Sequence, residues 1–384
     1  MIFRKQNKSN MSSWLNFPPT LLKDHHSEAQ AGDVKLTAKI IEETYREFDL
    51  KINIYESNIG PVYTLYRAKI HSNKHIDRYS ALSSNLALNL GAVTANVQID
   101  DGTLIVEVPN LKRAIVPLKE LMDSKVYQQS KATWRIVLGK DVEGKIKIID
   151  LVQNPQLLIG GQTGSGKSVF MNTVLIDFIM HHSPEELRLI LIDPKQVEMA
   201  IYEDIPHLLA PVITEPDKSR DIISWLKKEM DRRHALLSKN KVNSLVDLNH
   251  AINTEKLPRI ILMCDEVSDL MMVDLDFFDE SFSEIAKYGG DVGIHLILST
   301  SRVSYNVFTK NILNSIKSRV GFVTASQLGS KIIINQMGAE RLLGMGDMLF
   351  IDATGSCPVH IQAPYISDQD VEMMTDYIRN NNSN

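Results

Sequence analysis

The chain has 384 residues, 43% of them hydrophobic and 23% charged, and this composition excludes a disordered or fibrous protein. A chain of this length is expected to form two or three domains, each with its own core. The formal net charge of -5 excludes an overall positive field, so any contact with nucleic acid must come from a local patch.

Cysteine usage and the apolar stretches indicate the cellular setting. Cys264 and Cys357 are far apart and form no CxxC pair, which is typical of a protein in a reducing cytoplasm without structural zinc. The apolar stretches are too short to cross a bilayer, and the N-terminus lacks the apolar core of a signal peptide. We therefore expect a cytoplasmic protein with no membrane span of its own.

The chain begins with a polar segment. Residues 1–33 contain a Pro-Pro pair and a run of small and polar residues before the first apolar pattern, as linkers do. We expect residues 1–33 to form a flexible leader.

The next segment has the pattern of a small α+β domain over residues 34–125. Apolar residues recur at helical spacing in residues 36–48, and residues 51–70 alternate like two strands around a Gly-Pro turn. Residues 81–90 predict a second helix, and residues 96–108 predict a hairpin that turns at an Asp-Gly pair.

From residue 134 onward, short apolar strands alternate with longer helical segments, which predicts a parallel sheet with crossover helices. The strands read LLIG, LRLILID, RIILMCDE, GIHLILST and SRVGFVT. Residues 348–365 then predict a hairpin that turns at Thr354-Gly355. The second domain is placed at residues 126–364, and residues 365–384 are expected to form a C-terminal helix and a polar tail.

Residues 161–168 match the phosphate-loop pattern GxxxxGK[ST], and they stand between a predicted strand and a predicted helix as the motif requires. The residues expected to bind the nucleotide are Gly161, Gln162, Thr163, Gly164, Ser165, Gly166, Lys167 and Ser168. The glycines allow backbone N–H groups to surround phosphates, Lys167 is expected to hold the β- and γ-phosphates of ATP, and Ser168 is expected to ligate Mg²⁺. The alternative is a chance glycine-rich turn.

An apolar strand later in the chain ends in two carboxylates, Asp265 and Glu266. Acidic residues often finish strands, but in combination with the phosphate loop they indicate an ATP-hydrolysing site. Asp265 is expected to bind Mg²⁺ through water, and Glu266 is expected to polarise the attacking water.

The strand GIHLILST ends in Thr300. The phosphate loop and the acidic pair resemble those of RecA-like motors, in which this strand lies between the two strands that carry them and its polar end senses the γ-phosphate. Thr300 is our first candidate for that role, and capping of the strand end is the alternative. His295, in the middle of the same strand, is expected to be a core histidine without a function.

Ten stretches of the chain carry a more specific resemblance. They are GPVYTL, VPNLKR, VLGKD, GQTGSGKS, LILIDPKQVEM, IPHLLAPVIT, EMDRRHALL, DEVSDLMM, GIHLILST and GAERLLGMGDMLF. From about residue 36 to residue 378 the chain therefore resembles the FtsK/SpoIIIE family of DNA translocases over their α and β motor domains. The resemblance implies an α/β fold, a RecA-like P-loop NTPase with a mainly parallel sheet preceded by a small α+β domain.

The resemblance also implies a function. It predicts an ATPase that forms a homohexameric ring and pumps double-stranded DNA through a central channel, without sequence preference. The pumping of DNA is expected to serve chromosome segregation and cell division, or the transfer of plasmid or phage DNA. Neither a transmembrane array nor a winged-helix γ domain is expected in this chain. We therefore expect either a soluble protein or one that relies on a membrane or recombinase partner for location and direction.

In such a ring an arginine of one subunit enters the ATP site of its neighbour. Arg302 and Arg319 occupy positions that the family fills with arginine and are the candidates, and a structural salt bridge is the alternative for each. The candidate basic contacts to DNA phosphates are Lys310, Lys317, Lys331 and Arg341, for which a solvated charged face is the alternative.

The chain also departs from the family pattern. Where the family reads TQRP, this chain has Ser301 between Thr300 and Arg302, so the glutamine expected to link the γ-phosphate to DNA movement is missing and weaker coupling is expected. In the family's SRTILD segment, Lys331 and Asn335 replace an arginine and an aspartate.

Two alternative functions remain open. One is a conjugative or secretion-type ATPase of the same superfamily, which the continuous match to the α domain disfavours. The other is a degenerate ATP-binding subunit that assembles with an active paralogue. Lys167, Asp265 and Glu266 are all present and argue against it, whereas Ser301 favours it.

Overall fold

Two β-sheets organise the chain, a four-stranded antiparallel sheet and a nine-stranded mixed sheet. The computed structural model describes residues 17–71, 77–252, 255–355 and 357–381.

The smaller sheet is covered on one face by helices. Asp33 caps the first of these helices, because its carboxylate accepts the N–H groups of Lys35 and Leu36. Ile41 and Tyr45 of this helix and Leu86 of a later one pack against the apolar face of the sheet. The helices are α1 (Val34–Glu47), α2 (Asp77–Ala81) and α3 (Ser83–Leu90). The strands are β1 (Ile52–Ile59), β2 (Tyr63–Ile70), β3 (Asn96–Asp100) and β4 (Thr103–Pro109), in the order β1-β2-β4-β3.

The larger sheet has the order β6-β5-β13-β12-β11-β7-β10-β9-β8, and its last five strands are parallel. The strands are β5 (Arg135–Asp141), β6 (Ile146–Asp150), β7 (Gln156–Gly160), β8 (Leu187–Ile192), β9 (Arg259–Cys264), β10 (Ile294–Thr300), β11 (Ser318–Phe322), β12 (Asp347–Ile351) and β13 (Val359–Gln362). The predicted parallel strands are confirmed, and so is the position of β10 between β7 and β9. The hairpin predicted over residues 348–365 is also confirmed as the antiparallel pair β12 and β13.

Helices cover both faces of the larger sheet. They are α4 (Leu118–Asp123), α5 (Lys125–Gln128), α6 (Lys167–His181), α7 (Pro216–Asn240), α8 (Leu245–Ala251), α9 (Val267–Val273), α10 (Leu275–Tyr288), α11 (Lys310–Ser315), α12 (Gln327–Ile334) and α13 (Asp368–Asn381). Successive strand residues point to opposite faces. Leu157 and Ile159 thus pack with α4, α6 and α13, whereas Leu158 packs with α7 to α12. This arrangement is the expected RecA-like P-loop fold.

The segment of residues 17–33 packs against the larger domain, although the sequence assigned it to a flexible leader. Leu22 is buried in the core beneath α6 and α13. The backbone N–H of Lys23 donates to the Asp370 carboxylate at 3.2 Å, and the His25 Nε2 atom lies 2.7 Å from the same carboxylate. These partners are more than 340 residues away in the chain, so no local pattern reveals them. Residues 1–16 lie outside the described part of the chain.

The junction between the two sheets lies earlier than residue 125. Leu118 of α4 is buried in the core of the larger sheet, and Pro117 forms a bridge with Tyr365. α4 therefore belongs to the larger domain. α13 belongs to it as well, because Val371, Met374 and Ile378 pack in the same core. Within the described ranges, no helix combines the length and the apolar character needed to cross a membrane.

Candidate nucleotide-binding site

The phosphate loop, residues 161–168, connects the buried strand β7 to the N-terminus of α6. Two of its glycines are required by close backbone approaches. A Cβ atom on Gly161, whose φ is 157°, would lie 2.6 Å from Cβ of Phe322, and one on Gly166, whose φ is 111°, would lie 2.5 Å from the nitrogen of Gly346. The loop is therefore fitted against two neighbouring segments that leave no room for a side chain.

Backbone hydrogen bonds fix the position of this loop. The N–H of Gln162 donates to the carbonyl of Val323 at 2.8 Å, and the N–H of Gly346 donates to the carbonyl of Ser165 at 2.9 Å. α6 begins at Lys167, so the positive end of its dipole and its first N–H groups face the loop. The loop presents a preformed site for an anion.

Lys167 and Ser168 stand at the first turn of α6 and line the same cavity. The Nζ atom of Lys167 donates to the Gln162 carbonyl at 2.9 Å. Burial lowers the pKa of Lys167, and the nearby carboxylates of Glu266 and Asp265 oppose that shift. A buried lysine of this kind is a suitable partner for phosphate oxygens, which supply the negative charge that its burial demands.

Asp265 and Glu266 follow β9 directly and are both buried. Burial, together with the carboxylates of Glu198 and Asp193, raises the pKa of Asp265 to about 6. A carboxylate in such an acidic surrounding gains stability from a bound cation.

The pKa of Glu266 shifts in the opposite direction. Burial would raise its pKa, but hydrogen bonds from Ser301, Thr300, Ser268 and Lys195 lower the pKa of Glu266 to about 2. The hydroxyl of Thr300 donates to Oε1 at 2.5 Å, and the N–H of Ser301 lies 3.0 Å from Oε2. The hydroxyl of Ser301 also donates to Oε2. Glu266 is therefore held ionised in a fixed orientation.

The structure places the two candidate arginines very differently. Arg302 is exposed, and its guanidinium lies 3.3 Å from the sulfur of Met272. Arg319 is 4% exposed and donates to the carbonyl of Ile316 at 3.2 Å and to Oδ1 of Asn335 at 2.9 Å. Its remaining nitrogen donates to the carbonyl of Leu313. The structure therefore does not bring Arg319 to the site, because all three of its nitrogens bind backbone and side-chain oxygens within its own fold.

The candidate DNA-contacting residues lie away from the cavity. Lys310, Lys317, Lys331 and Arg341 are all exposed, on α11, on α12 and in the turns around β11 and after α12. His295 is buried and bonded to Arg259 and to the carbonyl of Pro155, which confirms its assignment as a core histidine.

A cavity of about 920 Å³ connects these groups. One side is formed by the phosphate loop, Lys195, Glu198 and the acidic pair, and the other side by residues 111–116, 345–346 and 362–365. Arg113 connects the segment of residues 111–116 to the segment that precedes Met345. Its guanidinium donates to the carbonyls of Leu343 and Gly344 at 3.3 and 3.1 Å. The sequence reasoning missed the second side because its segments are far apart in the chain. It also missed Lys195, although the stretch LILIDPKQVEM was available as a signal.

The oxygens around the cavity fit a magnesium ion. The hydroxyl of Ser168 and the carboxylate of Asp265 are hard oxygen donors of the kind that Mg²⁺ prefers when phosphates complete its coordination. In the part of the chain that is described, no cluster of three or more His, Cys, Asp or Glu side chains could hold a metal by itself. Ser168 and Asp265 are thus the residues that could hold Mg²⁺ together with a nucleotide.

Structural neighbours share this fold. The pCW3 conjugation coupling protein TcpA, solved as a monomer with ATPγS, matches with a TM-score of 0.63 at 21% identity, over 89% of this chain and 98% of that one. The cytoplasmic domain of the type VII secretion ATPase EccC of Thermomonospora curvata matches with a TM-score of 0.56 at 24% identity, over 65% of this chain and 32% of that one. At these identities the likeness establishes the P-loop ATPase fold alone.

Sequence relatives are closer. The DNA translocase FtsK of Caldanaerobacter subterraneus subsp. tengcongensis is 38% identical, over 95% of this chain and 52% of the relative. The DNA translocase FtsK of Treponema pallidum is 37% identical, over 94% of this chain and 47% of the relative. This chain thus spans about half the length of these two relatives. The DNA translocase FtsK of Haemophilus influenzae is 35% identical, over 94% of this chain and 73% of the relative.

Family models match segments of both domains. The model of the FtsK alpha domain matches residues 17–110, and the model of the FtsK/SpoIIIE family matches residues 117–305. The first match begins at residue 17, where the described structure begins, and the second begins just before α4. The chain belongs to the FtsK/SpoIIIE family.

Proposed function

We propose that this chain is an ATPase that uses Mg²⁺ and couples ATP hydrolysis to the movement of double-stranded DNA. The observation that carries the proposal is that Lys167, Asp265 and Glu266 line one cavity at the phosphate loop. The proposed coupling to movement of DNA is supported by relatives named DNA translocases, which align with nearly the whole chain.

The chemistry of hydrolysis follows from the positions of the side chains. The N–H groups of residues 161–168 and the ammonium of Lys167 bind the β- and γ-phosphates of ATP. Ser168 and Asp265 would hold Mg²⁺, and the bound ion would supply positive charge to neutralise the phosphates. Glu266 orients a water molecule and accepts its proton as the water oxygen bonds to the γ-phosphorus and the bond to the bridging oxygen of ADP breaks.

The proposal extends to the assembly. We place the motor in the cytoplasm as a homohexameric ring, in which Arg302 serves the ATP site of the neighbouring subunit. Its exposure supports this role, because a guanidinium that must reach another subunit has to lie at the surface. A membrane or recombinase partner would then provide location and direction.

DNA binding is proposed to rest on phosphates. The exposed cations Lys310, Lys317, Lys331 and Arg341 are the proposed contacts, and contacts of this type carry no sequence information. The likeness to a conjugation coupling protein concerns the fold, whereas the relatives at 35 to 38% identity are named DNA translocases. The DNA translocase is therefore favoured over the conjugative or secretion-type alternative.

One experiment tests hydrolysis and movement together. The purified chain is incubated with ATP, Mg²⁺ and a linear duplex that carries a third strand bound as a triplex, and phosphate release and third-strand displacement are both measured. We expect duplex DNA to stimulate hydrolysis and the third strand to be displaced, and Lys167→Ala to do neither. Hydrolysis without displacement would reject the motor, and the absence of both in the wild-type chain would reject the ATPase.

A further inference from the structure

Lys195 lines the same cavity as the phosphate loop and stands on a rigid turn. Asp193, at the end of β8, is fully buried, and its carboxylate accepts the N–H groups of Lys195 at 3.2 Å and of Val197 and Glu198 at 2.9 Å. These bonds fix the backbone of the turn. The side chain of Lys195 is nevertheless 44% exposed, so its ammonium can change partner while its backbone stays in place.

The partner of Lys195 in the structure is Glu266. The Nζ atom of Lys195 lies 3.0 Å from Oε2 of Glu266. The same carboxylate accepts the hydroxyls of Ser268, at 2.8 Å, and Thr300, and both the N–H and the hydroxyl of Ser301. A carboxylate has about four lone-pair sites, so these donors saturate it. It cannot also accept a proton from water unless one donor leaves.

Among these donors, Lys195 is the one that can leave. Ser268 and Thr300 are completely buried, on α9 and at the end of β10. Ser301 contributes a backbone N–H, which is fixed by the strand that precedes it, and a hydroxyl on a short side chain without a charge for a phosphate to attract. Lys195 instead has a long side chain that reaches into the cavity, which Lys167 also lines.

A terminal phosphate competes directly for this ammonium. It carries more negative charge than a carboxylate and offers three strong acceptor oxygens, while Glu266 has other donors to keep it in place. We propose that Lys195 is a second phosphate-binding lysine, which leaves Glu266 for the terminal phosphate of ATP and thereby frees a carboxylate oxygen for the attacking water. This role rests on the proposed ATPase function. It makes Lys195 a group that stabilises the transferring phosphoryl group and couples its arrival to activation of Glu266.

The first test compares nucleotides with and without the terminal phosphate. Binding of fluorescent N-methylanthraniloyl derivatives of ADP and of the non-hydrolysable AMPPNP is measured for the wild type, Lys195→Met and Lys195→Arg. Loss of a charge-assisted bond is expected to weaken binding of the AMPPNP derivative by Lys195→Met about tenfold or more. Binding of the ADP derivative is expected to stay unchanged. Lys195→Arg should restore most of the preference for the AMPPNP derivative over the ADP derivative.

Two further variants sharpen the result. Lys218→Met removes an exposed lysine of α7 that is paired with Glu215, outside the cavity, and is expected to behave as the wild type. Glu266→Gln removes the competing charge, so it should bind the AMPPNP derivative more tightly than the wild type does. Addition of Lys195→Met to Glu266→Gln should abolish that gain, which is the signature of coupling between the two residues.

Steady-state hydrolysis completes the test. Lys195→Met is expected to lower kcat by about tenfold or more, because the transferring group loses a cation, and to raise the KM for ATP. If Lys195→Met affects the ADP and AMPPNP derivatives equally, or neither of them, Lys195 acts only on the structure and the proposal is overturned. If the wild type does not bind either derivative, the ATPase function itself fails, which is a different result.

Discussion

The imidazole of His360 on β13 lies 2.7 Å from Oδ1 of Asp347 on β12, and both side chains are buried. Its other nitrogen lies 2.7 Å from the carboxylate of Glu107, which belongs to β4 of the smaller sheet. Tyr63 of β2 donates its hydroxyl to the second oxygen of Asp347 at 2.7 Å. A single buried network thus joins the two domains.

This network also reaches the wall of the cavity. The same oxygen of Asp347 accepts the N–H of Leu343 at 2.8 Å, and the segment that follows carries Gly346, which donates to the phosphate loop at Ser165. Displacement of the smaller sheet relative to the larger one would therefore move the segment that is hydrogen-bonded to the phosphate loop. Removal of His360 would leave two carboxylates buried without their shared cation.

We predict that His360→Gln destabilises the protein on the order of 3 kcal/mol near neutral pH, because it leaves buried charges unpaired. Burial opposes protonation of His360, but Asp347 and Glu107 raise its pKa well above the ordinary value. The raised pKa means that this stability is fully present below about pH 6.5 and is lost as the pH rises through the folded pKa.

The groups that face His360 are Glu107, Asp347 and Tyr63, and the charge of Arg113 acts on Tyr63. Urea unfolding of the wild type and His360→Gln at several pH values measures the difference, and the exposed His250→Gln serves as the control. A difference that grows with rising pH would contradict the charged state of His360.

The sequence predicted those parts of the site that depend on local pattern. The phosphate loop needs its glycines and Lys167 within eight consecutive residues, and Asp265 and Glu266 end a recognisable strand. By contrast, the contact of Leu22 with α13 and the wall formed by Arg113 bring together residues that are hundreds of positions apart. Arg319 shows the same limit, because whether an arginine at a strand is buried or exposed depends on its neighbours in the sheet and not on its own segment.

We expect mutations to separate the binding of ATP from its hydrolysis. Lys167→Ala should abolish ATP binding and hydrolysis, since the phosphates lose a buried cation. Glu266→Gln should keep ATP binding and lower turnover by on the order of a hundredfold or more, because the base is lost while the magnesium ligand remains. Phosphate release and binding of a fluorescent ATP analogue measure the two effects. Normal turnover by Glu266→Gln would show that another group is the base.

Arg319 and Arg302 are expected to have different roles, the first in stability and the second in hydrolysis. Arg319→Ala should lower the free energy of unfolding by on the order of 2 kcal/mol, because the carbonyls of Leu313 and Ile316 lose a buried donor. Arg302→Ala should leave stability and ATP binding unchanged while it slows hydrolysis in the assembled ring. Thermal unfolding and turnover of both variants measure this difference. Full turnover by assembled Arg302→Ala would remove its proposed role in the neighbouring site.

DNA affinity should fall steeply with salt and should not depend on sequence. Each phosphate contact contributes a slope of about -0.9 in the plot of log affinity against log salt. The double variant Lys310→Gln, Lys331→Gln should therefore reduce the slope by about 2 if both residues contact phosphates. Anisotropy of labelled duplexes measures the slope, and the exposed Lys125→Gln on α5 is the control. An unchanged slope would assign both lysines to a solvated face.

Ser301 stands at the position where the family resemblance predicts a glutamine. The structure uses its hydroxyl to bind Glu266, so Ser301→Ala should lower turnover several-fold through loss of a charge-assisted hydrogen bond, while the backbone N–H still holds the carboxylate. A glutamine is longer by one methylene and an amide group, and it can span from the γ-phosphate towards a DNA-facing segment.

Ser301→Gln is accordingly expected to raise the ratio of hydrolysis with duplex to hydrolysis without it. The KM for ATP should change little, because the phosphate loop is untouched. Steady-state hydrolysis of the wild type, Ser301→Ala and Ser301→Gln, with and without duplex, measures both effects. If the ratio stays the same or falls in Ser301→Gln, the link between DNA and the nucleotide runs through other residues, and Arg302, whose N–H binds Thr300 at 3.0 Å, is the next position to replace.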